Sequence, residues 1–178
     1  MSKMAIQVEE LRSTDARAAI ADLASVLSDC VAGGASVGFM DGFGVADAAQ
    51  YFRNIFEGDV ANGKARLFAA REGRKIVGTV QLVLDMMPNQ PHRAEVRKLL
   101  VHRAARGKGV AETLMKTIEK EARLAGCRLL ILDTVPGTPA DRLYTRLGWQ
   151  RVGLIPDYAL WPNGEFCDTC LFYKRIAP

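Results

Sequence analysis

The sequence predicts a mixed α+β (α/β) domain: a central twisted sheet of about seven strands, mostly antiparallel, flanked by helices and holding one parallel crossover. Three observations predict it. Strand-like and helix-like segments follow one another in the order β, α, α, β, β, β, α, β, α, β, β. The runs "ARLFAAR" and "KIVGTVQLVLD" are joined by "EGRK", a tight hairpin signal that makes them antiparallel neighbours. Between "EVRKLLV" and "LLILD" lies a single amphipathic helix, and strands joined through one helix pair in parallel.

In chain order, "AIQVEEL" is the first strand, and Ser13, Thr14 or Asp15 caps the helix that follows. Ile20, Leu23, Leu27 and Val31 recur at helical spacing until "GGASVGF" breaks the pattern. A second helix covers "VADAAQYFRNIFEGDVANG", with Val45, Ala49, Phe52 and Phe56 on one face. After the hairpin come the loop "MMPNQPH" and the strand "RAEVRKLLV". A stripe of Val110, Leu114, Ile118, Ala122 and Ala125 marks a helix ending at Gly126, with Glu112–Lys116 and Glu119–Arg123 as pairs on its solvent side. "RLLILD" is a buried strand, "VPGTP" a turn and "ADRLYTRLG" a short helix stopped by Gly148. "WQRVGLI" and "FCDTCLFYKRI" are the last strands, separated by the loop "PDYALWPNGE".

With 178 residues, 49% hydrophobic and 25% charged, the chain has the composition of one domain, residues 1–178, able to bury a core without disulfides or metals. The net charge of +4 suits an anionic small molecule better than nucleic acid, which asks for a dense basic patch with interleaved aromatics. No apolar run approaches the ~18 residues of a membrane span. The start, "MSKMAIQVEELRSTDARAA", lacks the basic-then-apolar pattern of a secretory leader. A soluble, cytoplasmic protein with no nucleic-acid or membrane partner is therefore expected. Cys167 and Cys170 form "CDTC", but no second Cys or His pair has zinc spacing, so no metal site is expected. On a strand, residues three apart face opposite ways, so Cys30, Cys127, Cys167 and Cys170 are read as reduced structural thiols.

The stretch "VHRAARGKGVAETLM", residues 101–115, carries the functional signal. A helix start leaves backbone N–H groups unpaired and bears a partial positive charge, and Gly107 and Gly109 let a phosphate approach the main chain. Arg103, Arg106 and Lys108 are solvated charges or phosphate contacts. The triphosphate loop G-x-x-x-x-G-K-[ST] does not fit, because Gly109 follows Lys108. The dinucleotide fingerprint G-x-G-x-x-G meets Glu112 where its third glycine belongs, although Asp133 could imitate its ribose-binding acid.

"RGKGVA", Arg106 to Ala111, resembles the R/Q-x-x-G-x-G/A loop of the GNAT superfamily of acyl-CoA-dependent N-acyltransferases. The resemblance extends through "KLLVHRAARGKGVAETLM", "LLILDT" and "LYTRLGWQRVG", in the family's order and spacing. "HRAEVRKLLV", "GLIPDYAL" and "CDTCLFYKR" look like the branch with tabtoxin-resistance acetyltransferases. The resemblance implies the GNAT fold and acetyl-CoA as cosubstrate. It places the pyrophosphate on the amides of Arg106, Gly107, Lys108, Gly109, Val110 and Ala111. The pantetheine arm would lie between "EVRKLLV" and "LLILD", against the backbone of Leu99, Leu100 and Val101, with the thioester carbonyl near the amides of Leu100 and Val101. It gives the Tyr144 hydroxyl the role of donating to the CoA sulfur. Many members carry Asn near the start of the short helix; here "TPADR" leaves Thr138 or Asp141 to replace it. Many members dimerise, so a homodimer comes with the resemblance.

Acetyl transfer to an amine needs a base for the ammonium proton, a polarised carbonyl and a proton for the thiolate. Glu95 shares a face with Arg97, Leu99 and Val101 by strand alternation, provided no bulge intervenes before the loop; a carboxylate there holds an ammonium or pairs with Arg97 or Arg93. Asp133 ends an apolar strand beside the phosphate site, where it serves function or caps the next turn. Two neighbouring carboxylates favour a bound cation. Tyr144 is also read as a core tyrosine beside Leu143 and Leu147. Tyr158 and Trp161, beside Asp157 and Glu165, line an acceptor pocket, or Trp161 covers the sheet edge or a dimer contact. The leading expectation is an N-acetyltransferase acting on a small cationic amine by direct attack in a ternary complex. The alternatives are acetylation of protein N-termini or lysines, a non-catalytic CoA sensor, and a dinucleotide-binding module.

Overall fold

The computed structural model describes residues 5–176. Its seven strands are β1 (Ile6–Leu11), β2 (Ala65–Glu72), β3 (Lys75–Val83), β4 (Arg93–Val101), β5 (Leu129–Thr134), β6 (Gln150–Leu160) and β7 (Phe166–Arg175). The helices are α1 (Ala16–Ala32), α2 (Val45–Ile55), α3 (Val110–Leu124) and α4 (Pro139–Arg146). The strands form one sheet in the order β1-β2-β3-β4-β5-β7-β6, and β4–β5 is its parallel pair. The expected mixed fold with a parallel β4-α3-β5 crossover is therefore present.

Strand alternation divides the apolar residues between two cores. Leu67 and Ala69 of β2 join α1 and α2 on one face, with Leu23, Leu27 and Phe52. Phe68 and Ala70 turn the other way, toward Val110, Leu114 and Ile118 of α3 and Leu143 and Tyr144 of α4. Leu114 and Ile118 are fully buried, which contributes about 1.5–3 kcal/mol each. Gly78 in β3 lets α3 settle on the sheet. A Cβ there would lie 2.9 Å from Val110 Cγ1, 3.0 Å from the Leu100 carbonyl oxygen and 3.2 Å from Leu114 Cδ1. Gly78→Ala is expected to cost about 1–3 kcal/mol through overpacking. Thermal denaturation checks it: the melting temperature should fall by several degrees.

Three local expectations are corrected. The inward face of α2 is Ala48 and Phe52, continued by Phe56 in a π-helical turn over Phe56–Val60, while Val45 is 58% exposed. Glu119 does not lie on the solvent side. It accepts from Trp149 Nε1 at 3.1 Å and Lys174 Nζ at 2.7 Å, so a buried carboxylate is satisfied by groups distant in sequence. Pro156 to Leu160 is strand, not loop: Pro156 is tolerated because β6 is the sheet edge, and a bulge between Ile155 and Ala159 puts Asp157 at φ +51°. Val152, Leu154 and Tyr158 are exposed along that edge.

Candidate active site

β4 and β5 run together at Arg93↔Leu129, Ala94↔Leu130 and Glu95↔Ile131, and their pairing stops there. Beyond that point β4 continues to Val101 and β5 to Thr134, so the strands part and leave unpaired backbone along a gap. A bulge in β4 marks the same place. Leu100 opposes Thr79 and Arg97 opposes Gln81, leaving Lys98 and Leu99 together against Val80, with Lys98 at φ +51°. A left-handed lysine stores about 1–2 kcal/mol. The bulge also reverses the side-chain alternation. Ala94 and Val96 pack on the α3 side, as do Leu99 and Val101, whereas Leu100 joins the α1–α2 core. Glu95 and Arg97 therefore share their face with Leu100 and not with Leu99 and Val101, as strict alternation had it.

Main-chain directions follow from the same register. The His102 N–H donates to the Val77 carbonyl at 2.9 Å, so two residues earlier the Leu100 N–H faces β3 and the intervening Val101 N–H faces the gap. The Val101 carbonyl, turned the same way, accepts from Arg106 Nε at 3.3 Å and from the Cys30 thiol at 3.5 Å.

At the mouth of the gap lies the glycine turn. Gly107 and Gly109 have φ of +74° and +84°, and Gly109 caps α3. A Cβ on either would meet no atom within 4 Å, so the space over the turn is open. Among the described residues, no loop or turn bond is donated by the amides from Gly107 to Ala111. Two nearby cations are already held. Arg103 donates from its backbone and Nε to Asp29 at 2.7 and 2.9 Å, and Lys108 reaches both Glu72 oxygens at 2.9 Å. Arg106 donates only its Nε to a carbonyl and has no carboxylate partner among the described residues, so the turn offers unpaired main-chain N–H groups and the rest of that guanidinium.

On the α1–α2 face of the gap, polar groups converge. Arg97 grips both oxygens of Glu95 at 2.7 Å, which holds the guanidinium above its usual pKa. Asp133, exposed at the end of β5, accepts from Thr169 Oγ1 at 2.9 Å through one oxygen. Gln81 donates to the Tyr51 hydroxyl at 3.1 Å, and burial raises the Tyr51 pKa. Lys98 Nζ donates to the Val37 carbonyl at 2.6 Å; burial and then the Arg97 charge lower its pKa. The α1–α2 connection closes this side by docking on the β6–β7 turn, with Asp41 N–H donating to Pro162 O and Ser36 Oγ to Leu160 O.

Tyr144 is buried on the other face of the sheet, with its ring 5.9 Å from those of Trp149 and Phe172. Burial, and then the charge of Asp133, push its pKa well up, so the hydroxyl keeps its proton. Thr138 caps α4 by accepting the Asp141 N–H at 3.3 Å. Asp141 accepts from the Gly137 N–H at 2.7 Å and from Arg151 at 2.6 Å. Burial opposes its charge, but those donors win and lower its pKa. Cys167 and Cys170 are separate: the first donates to Ser36 Oγ at 3.3 Å, the second to the Gly153 carbonyl at 3.4 Å. The gap thus has Glu95 and Asp133 on its α1–α2 face, near Arg97 and Lys98, while Tyr144 is packed in the core on the other face. The gap adds Tyr51, Gln81, Lys98 and Thr169, of which only Gln81, a polar residue inside the apolar run "IVGTVQLVL", carried a sequence signal.

Residues 34–149 match the acetyltransferase (GNAT) family. The chain belongs to that family. It is accordingly a GNAT acetyltransferase that uses acetyl-CoA, and the open glycine turn beside split strands fits that group. An "IAA acetyltransferase" of Azospirillum brasilense is 29% identical over 113 residues, 63% of this chain and 72% of that protein. An N-acetyltransferase from Staphylococcus aureus Mu50 superposes with a TM-score of 0.78 at 15% identity, over 97% of this chain and 99% of that one. A Salmonella typhimurium protein solved with its cofactor acetyl-CoA gives 0.77 at 17% identity, over 97% and 95% of the two chains. At these identities the likeness carries the GNAT fold. No helix of the described residues is long and apolar enough to cross a membrane.

Proposed function

We propose that this GNAT enzyme moves the acetyl group of acetyl-CoA to the primary amine of a small substrate that binds as its ammonium, by direct attack with both substrates bound. The observation that carries the reading is the end of β4–β5 pairing at Glu95↔Ile131, beside a glycine turn whose amides are unpaired. When bound, acetyl-CoA supplies an acyl carbon activated as a thioester. The Arg106 N–H already donates to the Arg103 carbonyl at 3.2 Å, so the amides from Gly107 to Ala111 hold its diphosphate at the positive end of α3. The backbone of Leu99 and Val101 pairs with the amide-bearing arm as an added strand would, with Thr138 and Asp141 beside it. The Val101 N–H, turned to the gap where that of Leu100 faces β3, donates to the thioester carbonyl oxygen. Asp133, one of whose oxygens meets no donor among the described residues, holds the substrate ammonium, and it and Glu95, the latter while paired with Arg97, relay its proton through water. Tyr144 donates its proton to the departing sulfur. Similarity of "GLIPDYAL" and "CDTCLFYKR" supports a place near tabtoxin-resistance acetyltransferases. The exposed apolar residues along β6 support a homodimer through that edge.

A thiol-release screen with acetyl-CoA against amino acids, polyamines, aminoglycosides and short peptides tests the function. Release with a small amine supports it; release only with peptides would replace the acceptor by a protein terminus or lysine. Glu95→Gln and Asp133→Asn should each lower kcat/KM for the amine about 10- to 100-fold, most below pH 8 where the amine is protonated, with little change in acetyl-CoA affinity. A variant whose pH–rate profile matches wild type has no part in proton transfer.

A further inference from the structure

We infer that the acceptor is an amino acid, a small molecule bearing a carboxylate as well as the amine, and that the Lys98 ammonium is the counter-ion of that carboxylate. The inference rests on the acetyltransferase reading and names the substrate class of the same site.

Three cations around the gap and its turn already have carboxylate partners. Arg97 is forked onto Glu95, Arg103 onto Asp29 and Lys108 onto Glu72. Lys98 differs. Its Nζ contacts a neutral acceptor, the Val37 carbonyl, and lies 5.5 Å from the centre of the Phe39 ring. Among the described residues no carboxylate comes within ion-pair distance of it; Asp133 and Glu95 act on it only from further away. A partly buried ammonium without an anion is costly, and Lys98 also sits in a left-handed conformation that lysine disfavours. Both costs are borne at the same place, the bulge where β4 leaves β5. Strain and an unmatched charge together at a site mark a group positioned for a ligand.

The charge pattern also fixes what that ligand carries. Without a ligand, the acceptor face holds two cations, Arg97 and Lys98, and two carboxylates, Glu95 and Asp133. Glu95 neutralises Arg97. Asp133 keeps one oxygen for the substrate ammonium, and Lys98 keeps two of its three N–H donors for an anion. A polyamine would meet Lys98 as a like charge, and a simple monoamine would leave it unmatched. A zwitterion answers both. Phe39 and the Gly38 turn over the ammonium shield it from water, which strengthens the pairing.

The test compares each of the twenty standard amino acids with its carboxamide as acceptor, by thiol release from acetyl-CoA, in wild type, Lys98→Met and Lys98→Arg. Masking the carboxylate also lowers the amine pKa, which by itself favours the carboxamide, so a preference for the acid reports recognition. We expect at least one amino acid to exceed its carboxamide about 10- to 100-fold in kcat/KM, the loss of one charged hydrogen-bonded pair. Lys98→Met should collapse that ratio toward one, and Lys98→Arg should restore most of it. A shift in melting temperature with acetyl-CoA shows that each variant is folded, and the wild-type ratio stands even if one is not. Equal or better turnover of carboxamides, or turnover of polyamines or peptides and of no amino acid, overturns the inference and leaves the acetyltransferase reading in place. If acetyl-CoA binds and no amine of any class releases thiol, the acetyltransferase reading falls and the inference with it.

Discussion

Gly107→Asp should weaken acetyl-CoA binding about 100-fold, whereas Gly107→Asn should weaken it about tenfold, measured by calorimetric titration. The comparison separates geometry from charge. Gly107 has φ +74°, a conformation that Asn and Asp adopt more easily than other L residues. A Cβ there meets no atom, so neither side chain forces the protein to move. Both would cover the unpaired amides, but only Asp adds a negative charge where a diphosphate is expected. Equal losses in the two variants would mean that the turn positions the helix and does not bind the phosphate. No loss in either would remove the turn from the site.

Tyr144→Phe should lower kcat about 100-fold and leave acetyl-CoA affinity within a factor of about two, the signature of a lost proton donor. The ring stays packed between Trp149 and Phe172, so the change is confined to the hydroxyl. A stability signature accompanies it. Burial and Asp133 raise the Tyr144 pKa in the folded protein above its unfolded value near 10. The native state then binds more protons than the unfolded chain once the pH exceeds about 10. This contribution to stability is complete below that pH and is lost as the pH rises above it. Denaturant melts at high pH should therefore show a steeper alkaline decline in wild type than in Tyr144→Phe. A variant that binds acetyl-CoA weakly instead would assign Tyr144 to cosubstrate binding.

The glycine turn, the crossover and the core position of Tyr144 are legible in the sequence because each depends on neighbours close in the chain. A helix start, a strand–helix–strand unit and a tyrosine at helical spacing are local facts. The β4 bulge was not legible. Strict alternation put Glu95 beside Leu99 and Val101, but the face of each residue after Arg97 is set by the register of β4 against β3, which no local pattern encodes. Lys98 was overlooked for the same reason: in "EVRKLL" it reads as a surface lysine, and only the bulge and the folded-back Val37–Phe39 segment make it an enclosed ammonium. Glu119 misled because its helical partner Arg123 is four residues away, whereas Lys174, which holds it, is 55 away. Pro156 argued against a strand, and its missing N–H costs nothing at a sheet edge.

A crystal structure of the protein with acetyl-CoA tests the central claim most directly. The predicted result is a diphosphate over the amides of Gly107 to Ala111, with the pantetheine arm running along β4 between Val101 and the end of β5. A diphosphate held elsewhere, or a gap closed by continued β4–β5 pairing beyond Glu95 and Ile131, would contradict it.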